Sequence, residues 1–337
     1  MGGLPFFLHK IMEEHMKKRL VFAMASLLLF AIHVGAAAQE NERDALTFSI
    51  AVTGGYYFES SHTTESGTHF QGLSSAYYAF ALSATPALEY TIPFLTADNA
   101  LMADNHLTIN AGLEITPASL TPNLSLSFTP IALLELKVGS KAGTGWLGMS
   151  EYSFEKQEYE DLAAFKHWYL YNYASATLMF DFAAIWEGDW HHIVTTASYE
   201  IAYQKLTGTD RIWRWQASAF PLADGWVYAQ HYFLGYMMPI RLSMIGVDCA
   251  LMGNYKSSDF GEVDESYDGD FMLINISPMI QIKLGSSEKD TLIILGSIIG
   301  RRSFEEEWED SDKEPLYTKN GREFYFDSIG AVWKHTF

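Results

Sequence analysis

From Ala45 to Phe337 the chain repeats one pattern, segments of roughly ten to eighteen residues in which every second side chain is apolar and its neighbours are small or polar. The pattern is cleanest over Phe271 to Leu284. Met272, Ile274, Ile276, Pro278, Ile280, Ile282 and Leu284 fall on one face there, and Asn275, Ser277, Gln281 and Lys283 on the other. Because side chains alternate across a strand, each such segment lies between an apolar and a watery environment. Strands of soluble sandwiches usually run only about 5–6 residues. The longer runs here predict an all-β chain folded as a single antiparallel transmembrane β-barrel.

The first strand places Leu46, Phe48, Ile50, Val52, Tyr56 and Phe58 outward. The second places Tyr78, Phe80, Leu82, Leu88, Tyr90 and Ile92 there, and the third Leu107, Ile109, Ala111, Leu113 and Ile115. Leu124, Leu126, Phe128, Leu134 and Leu136 read as one fourth strand, after which the alternation lapses from Gly139 to Lys166. It resumes over Trp168 to Trp186, with Leu170, Leu178, Phe180 and Phe182 outward against Tyr169, Tyr171, Tyr173 and Asp181. Glu187-Gly188-Asp189 then marks a tight turn. Ile193 to Gln204 follows, then shorter segments at 211–220 and 225–238, and then 241–256, 269–284, 289–303 and 322–337. The count is about twelve, with ten or fourteen the neighbouring even numbers if 205–240 or 139–167 divides differently.

An even count with both termini in the periplasm puts the connections near 59–72, 257–268 and 304–321 outside and the short turn 285–289 in the periplasm. The same bookkeeping places 139–167 on the periplasmic side, where connections are normally short. Its centre, Glu155 to Phe165, has the composition for a short helix, and the segment reads either as a plug in the lumen or as a surface excursion.

The N-terminal region carries an address. Met16-Lys17-Lys18-Arg19 precedes an apolar run from Leu20 to Val34, and Ala36-Ala37-Ala38 offers small residues for cleavage. The run is too short to anchor a spanning helix, so residues 1–38 are expected to be a signal peptide, with 1–15 upstream of the true start, and 39–337 the barrel. Reading back from Phe337 in steps of two gives His335, Trp333, Ala331 and Ile329. This strand resembles the C-terminal signal of bacterial outer-membrane barrels, from which only His335 departs. The resemblance implies the outer membrane as location, its lipid as surroundings, and the barrel-assembly machinery as a partner that reads Ile329, Ala331, Trp333 and Phe337.

A net charge of −19 argues against nucleic acid as a partner. Cys249 is the only cysteine, so no intrachain disulfide forms. The inward positions carry Glu89, Glu114, Glu135, Asp181, Glu200 and Asp248 together with Lys137, Gln281, Lys283 and Lys334. Ionisable groups enclosed by a barrel must pair, bind ions or meet water. They therefore outline either a hydrated, mildly cation-favouring pore or a salt-bridged, closed interior. Small residues on the inner faces of the first two strands favour open space.

Two further clusters have simpler readings. Asp189, His191 and His192 have the side chains of a metal or acid–base site, but adjacent histidines on a strand face opposite ways. Two acidic stretches, 259–270 and 305–312, do not follow the spacing of a calcium loop and read as solvated loops. No segment matches the acidic pairs with an Asp–His couple of omptin proteases, or the Ser-His-Asn set of the outer-membrane phospholipase. No cofactor motif is present, and the sequence does not fix an oligomeric state.

Leu134-Glu135-Leu136-Lys137 with Gly143-Thr144-Gly145-Trp146, and Phe180-Asp181-Phe182-Ala183-Ala184 with Gly188-Asp189-Trp190, resemble segments of uncharacterised spirochaete outer-membrane barrel proteins. That resemblance implies fold and location and brings no catalytic residues. The functional expectation is a passive channel or small-solute transporter. The alternative is a non-enzymatic surface barrel whose acidic loops bind a partner or cations.

Overall fold

The computed structural model describes residues 46–58, 80–153, 158–186, 188–210, 212–216, 222–263, 269–285, 289–308 and 315–337. The expected signal peptide, the 59–72 loop, most of the 285–289 turn and part of each acidic stretch lie outside them.

Twelve strands close an antiparallel barrel. In chain order they are β1 (Leu46–Tyr57), β2 (Phe80–Pro93), β3 (His106–Ile115), β4 (Ser119–Ile131), β5 (Leu134–Gly145), β8 (Tyr169–Asp181), β9 (Ile193–Leu206), β11 (Gly225–Met237), β12 (Leu242–Asn254), β13 (Leu273–Leu284), β14 (Asp290–Trp308) and β15 (Pro315–Thr336). The remaining three, β6 (Met149–Ser153), β7 (Glu158–Asp161) and β10 (Trp213–Trp215), form a separate small sheet in the order β10-β6-β7. The barrel closes where β15 pairs with β1, from Ser49 opposite Thr336 to Tyr57 opposite Ser328.

Register explains the alternation. Leu46 lies opposite Tyr90, Tyr90 opposite Ile109, and Ile109 opposite Leu126. Leu126 in turn faces Val138, so one apolar row runs unbroken from strand to strand. Leu124, Val138, Leu178 and Leu234 on these rows are each more than half exposed. The apolar face is thus the outer face of the barrel, and among the described residues no second layer covers it, as a soluble two-layer packing would require.

The total of twelve agrees with the sequence, but two errors in dividing it cancel. The run 124–136 is two strands, because Ala132-Leu133 turns the chain from β4 into β5. The described residues of the run 211–220 enter no barrel strand, since Trp213–Trp215 pairs with β6 in the small sheet. Splitting 124–136 also moves the next connection to the opposite end of the barrel. The excursion 146–168 therefore lies at the long-connection end, with 207–224 and 255–272, and the periplasmic placement is corrected. Residues 139–145, where the alternation lapsed, are the end of β5, paired on both sides. The expected helix at 155–165 is not formed, because Glu158–Asp161 pairs with β6 as β7. The expected 304–321 loop is mostly strand, as β14 and β15 stay paired out to Trp308 opposite Pro315.

Candidate functional site

The inner face of the wall carries small and polar side chains in register, alongside several aromatic rings. Thr47 lies opposite Glu89, Glu89 opposite Asn110, and Asn110 opposite Ser125. The same parity puts Glu114 opposite Thr121, Glu135 opposite Thr177, and Lys137 between Ser127 and Ser175. Glu200 lies between Ser175 and Ala229, and Asp248 between Phe233 and Ser277. Gln281 sits beside Met244, Lys283 beside Thr291, Lys334 between Ala51 and Thr291, and Asp181 beside Val194. All ten occupy rows of the face opposite the exposed apolar one.

Short polar contacts tie several of these together. The Tyr171 hydroxyl donates to Glu200 Oε1 at 2.6 Å. His231 Nδ1 lies 3.1 Å from Asp248 Oδ2, so these two contacts anchor both carboxylates to the wall across β8, β9, β11 and β12. Lys141 Nζ stands 5.4 Å and 5.8 Å from the ring centres of Tyr171 and Tyr173, a cation–π contact. Near the opposite rim Asp181 accepts from the Ala183 N–H at 2.9 Å and meets His192 Nδ1 at 2.6 Å. His192 therefore takes its carboxylate from Asp181 rather than Asp189. No cluster of three metal-ligating side chains occurs among the described residues.

At the long-connection end the small sheet forms a cap with its own core. Trp213 and Leu206 are fully buried with Met149 and Trp215, and Leu162, Tyr169 and Leu222 close round them. One carboxylate ties the cap to the wall: Asp224 Oδ1 accepts from Trp213 Nε1 at 3.0 Å and from the Leu206 N–H at 2.8 Å, while Oδ2 meets Lys205 Nζ at 2.9 Å.

Trp215 then turns inward, stacking on Tyr169 with ring centres 5.1 Å apart. Its ring lies over Gly143, where any Cβ would collide with it, and Tyr173 lies over Gly139 in the same way, 2.5 Å from where a Cβ would stand. These glycines weakened the alternation in the sequence and exist to admit rings. Gln216 Nε2 donates to Glu114 Oε1 at 2.8 Å and to Ser119 Oγ at 2.9 Å, which engages the Glu114 carboxylate with the cap. Sequence reasoning missed this cap. The signal available was Trp213-Arg214-Trp215, an aromatic pair too costly to leave in a solvated loop.

Between the cap and the walls of β1, β2 and β15 lies a cavity of about 720 Å³. Thr53, Gly55, Ala81, Ser83 and Gly330 line one side, and Trp215, Gln216 and Leu147 the other. Among the described residues, the cap thus narrows the mouth on the β3–β9 side and leaves the cavity beside β1 and β2.

A second connection covers part of the same end. Phe260 is buried, and the preceding Asp259 has its carboxyl raised above its ordinary value by burial, against the opposing pull of Lys256. A raised carboxyl favours the protonated form, so its stabilising share is present below the unfolded value and is lost as pH rises. Asp259→Asn is therefore expected to match or slightly raise the melting temperature at pH 7 and to make no difference in strong acid. A drop in melting temperature at pH 7 would show that the carboxylate holds a partner.

No protein-family model matches the chain, and no curated protein matches it. Several solved structures are similar in outline. An outer-membrane channel from Pseudomonas putida F1 is 10% identical over 88% of this chain and 97% of that one, with a TM-score of 0.43. The NanC porin is 9% identical over 85% and 98%, with a TM-score of 0.38. LpxR from Salmonella typhimurium is 10% identical over 85% and 99%, with a TM-score of 0.37. These are loose likenesses, and the barrel here is defined by its own strand pairing.

Proposed function

We propose that this barrel resides in a bacterial outer membrane, after signal-peptide-directed export, and acts as a passive channel for small solutes with a mildly cation-favouring lumen. The observation that carries this reading is the closed wall with one face exposed and apolar and the other bearing polar side chains in register, beside a cavity under the cap. A lipid-facing exterior and a wettable interior are what a pore requires. Of the ten inner positions named above, six are carboxylates and three are lysines, and this excess of acid gives the sign of the preference we propose. The barrel-assembly machinery is the partner we assign to the last strand. Kinship with spirochaete barrels rests on the sequence segments alone.

Reconstitution into planar bilayers tests the reading. We expect discrete conductance steps and a reversal potential in a salt gradient that reports preference for cations. Glu114→Gln and Asp181→Asn should each move that potential toward zero, less at high salt because screening shortens the reach of the charges. A barrel that inserts but never conducts would overturn the proposal.

The surface-binding alternative finds one observation in its favour. Among the described residues, β14 beyond Gly300 pairs only with β15, so this hairpin outreaches its neighbours. A partner reading requires that shortening the hairpin abolish a binding event while leaving conductance intact.

A further inference from the structure

Where β14 and β15 leave the wall, their outward row changes character. Ile298 faces Phe326 and Gly300 faces Phe324, both phenylalanines about half exposed. The next pair on that row is Arg302 opposite Arg322. Two guanidiniums so placed repel, and yet both are drawn to one point: their Cζ atoms lie 4.5 Å and 4.3 Å from the centre of the Phe271 ring. Each is also held from behind, since Arg302 Nη1 donates to the Gly321 carbonyl at 3.4 Å and Arg322 Nη1 to the Gly300 carbonyl at 2.9 Å. The ring and the carbonyls fix the direction of both forks. In a protein of net charge −19, a fixed pair of arginines on the outer face is the opposite of the general surface.

We propose that Arg302 and Arg322 form a binding site for the phosphate of an outer-leaflet lipid. This rests on the membrane reading above, which sets the level of the site. Directly below the pair, Phe324 and Phe326 continue the apolar exterior that acyl chains would cover, and Tyr199 and Tyr255, hydrogen-bonded to each other through their hydroxyls, are exposed further round the barrel. Aromatic rings of this kind mark the interface between hydrocarbon and headgroups. A headgroup phosphate therefore meets the arginines while its chains lie on the phenylalanines, a combination that a free anion does not exploit. Guanidinium forks match the phosphate oxygens in geometry as well as charge. Asp270 is exposed and, like Arg322, acts on Tyr228, which makes it the described carboxylate to test against the pair.

The test uses the full barrel folded in phosphatidylcholine vesicles, then transferred to detergent and titrated with phosphatidic acid, with native mass spectrometry counting retained lipid. The wild type should retain one phosphatidic acid in preference to phosphatidylcholine. Arg302→Gln with Arg322→Gln should weaken retention by about tenfold or more, the scale of losing charge-assisted hydrogen bonds. Arg302→Lys with Arg322→Lys, which keeps the charge and loses the fork, should fall between and guards against misfolding of the first variant. Retention unchanged in both variants overturns the site, as does complete competition by inorganic phosphate at equal concentration, which would make it a free-anion site. Retention that rises in Asp270→Asn and is absent in the wild type would show that Asp270 already neutralises the pair. A wild type that never folds into phosphatidylcholine vesicles sinks the membrane reading itself, which is a separate outcome from the lipid count.

Discussion

Trp213→Ala should detach the cap from the barrel while leaving the wall intact, and on the proposed channel reading the barrel should then conduct more, not less. Trp213 is fully buried in the one cluster that holds the small sheet together, and its indole N–H is one of three donors gathered on Asp224. Truncating a buried tryptophan costs about 3–5 kcal/mol. A sheet of three strands with so few buried side chains has little to set against that loss. The wall is held by a continuous ladder of backbone bonds that Trp213 does not enter. Without the cap core, Trp215 has no reason to lie over Gly143, and Gln216 releases Glu114.

The measurement is a pair: limited proteolysis within 146–168 and 207–224, and unitary conductance in bilayers. We expect rapid cleavage in both connections, unchanged heat-modifiable mobility of the barrel on gels, and a larger step size. Equal conductance with a cleaved cap would mean that the narrowest point lies deeper in the bore. Loss of the folded barrel would mean that cap and wall are one cooperative unit.

The contrast between cap and wall also explains what could be read from the sequence. A wall residue such as Ile276 or Leu178 announces its environment because its neighbours alternate with it, and period two survives wherever one face meets lipid. The inner small residues at 47–55 and 81–87 were legible for the same reason, and they line the open side of the cavity. The pattern failed at Gly139 to Gly143, where the inner positions were emptied to admit Tyr173 and Trp215, a requirement set by residues far away in sequence. It failed again at Ala132-Leu133, because a two-residue turn made of apolar residues leaves no break in the alternation. The Glu114–Gln216 and Asp181–His192 contacts join elements whose relative placement only the closed barrel decides. No local rule could have paired them.

Deleting Ile329 to Phe337 should abolish folding, and Phe337→Ala alone should not. The deleted segment pairs with β1 on one side, up to Tyr56 opposite Ile329, and with β14 on the other, from Gly296 opposite Ile329 to Asp290 opposite His335. Its loss leaves two strand edges with unpaired backbone groups, and in hydrocarbon each such group costs several kcal/mol, so no open form is tolerated. Phe337 itself contributes differently. Its N–H donates to the Phe48 carbonyl at 3.0 Å, a bond that alanine keeps, and its ring lies 4.9 Å from that of Phe48. The ring is only partly buried, so the cost should stay below the roughly 3–5 kcal/mol of a core phenylalanine. Refolding into vesicles, followed by mobility with and without heating, should therefore show a compact band for Phe337→Ala and none for the deletion. If the terminal aromatic is read during assembly, the same Phe337→Ala protein should fold in vesicles yet reach the outer membrane of cells in reduced amount. Equal amounts in both settings would leave Phe337 a packing residue only, and a compact band from the deletion would show that the pairing of β1 with β15 is not what closes the barrel.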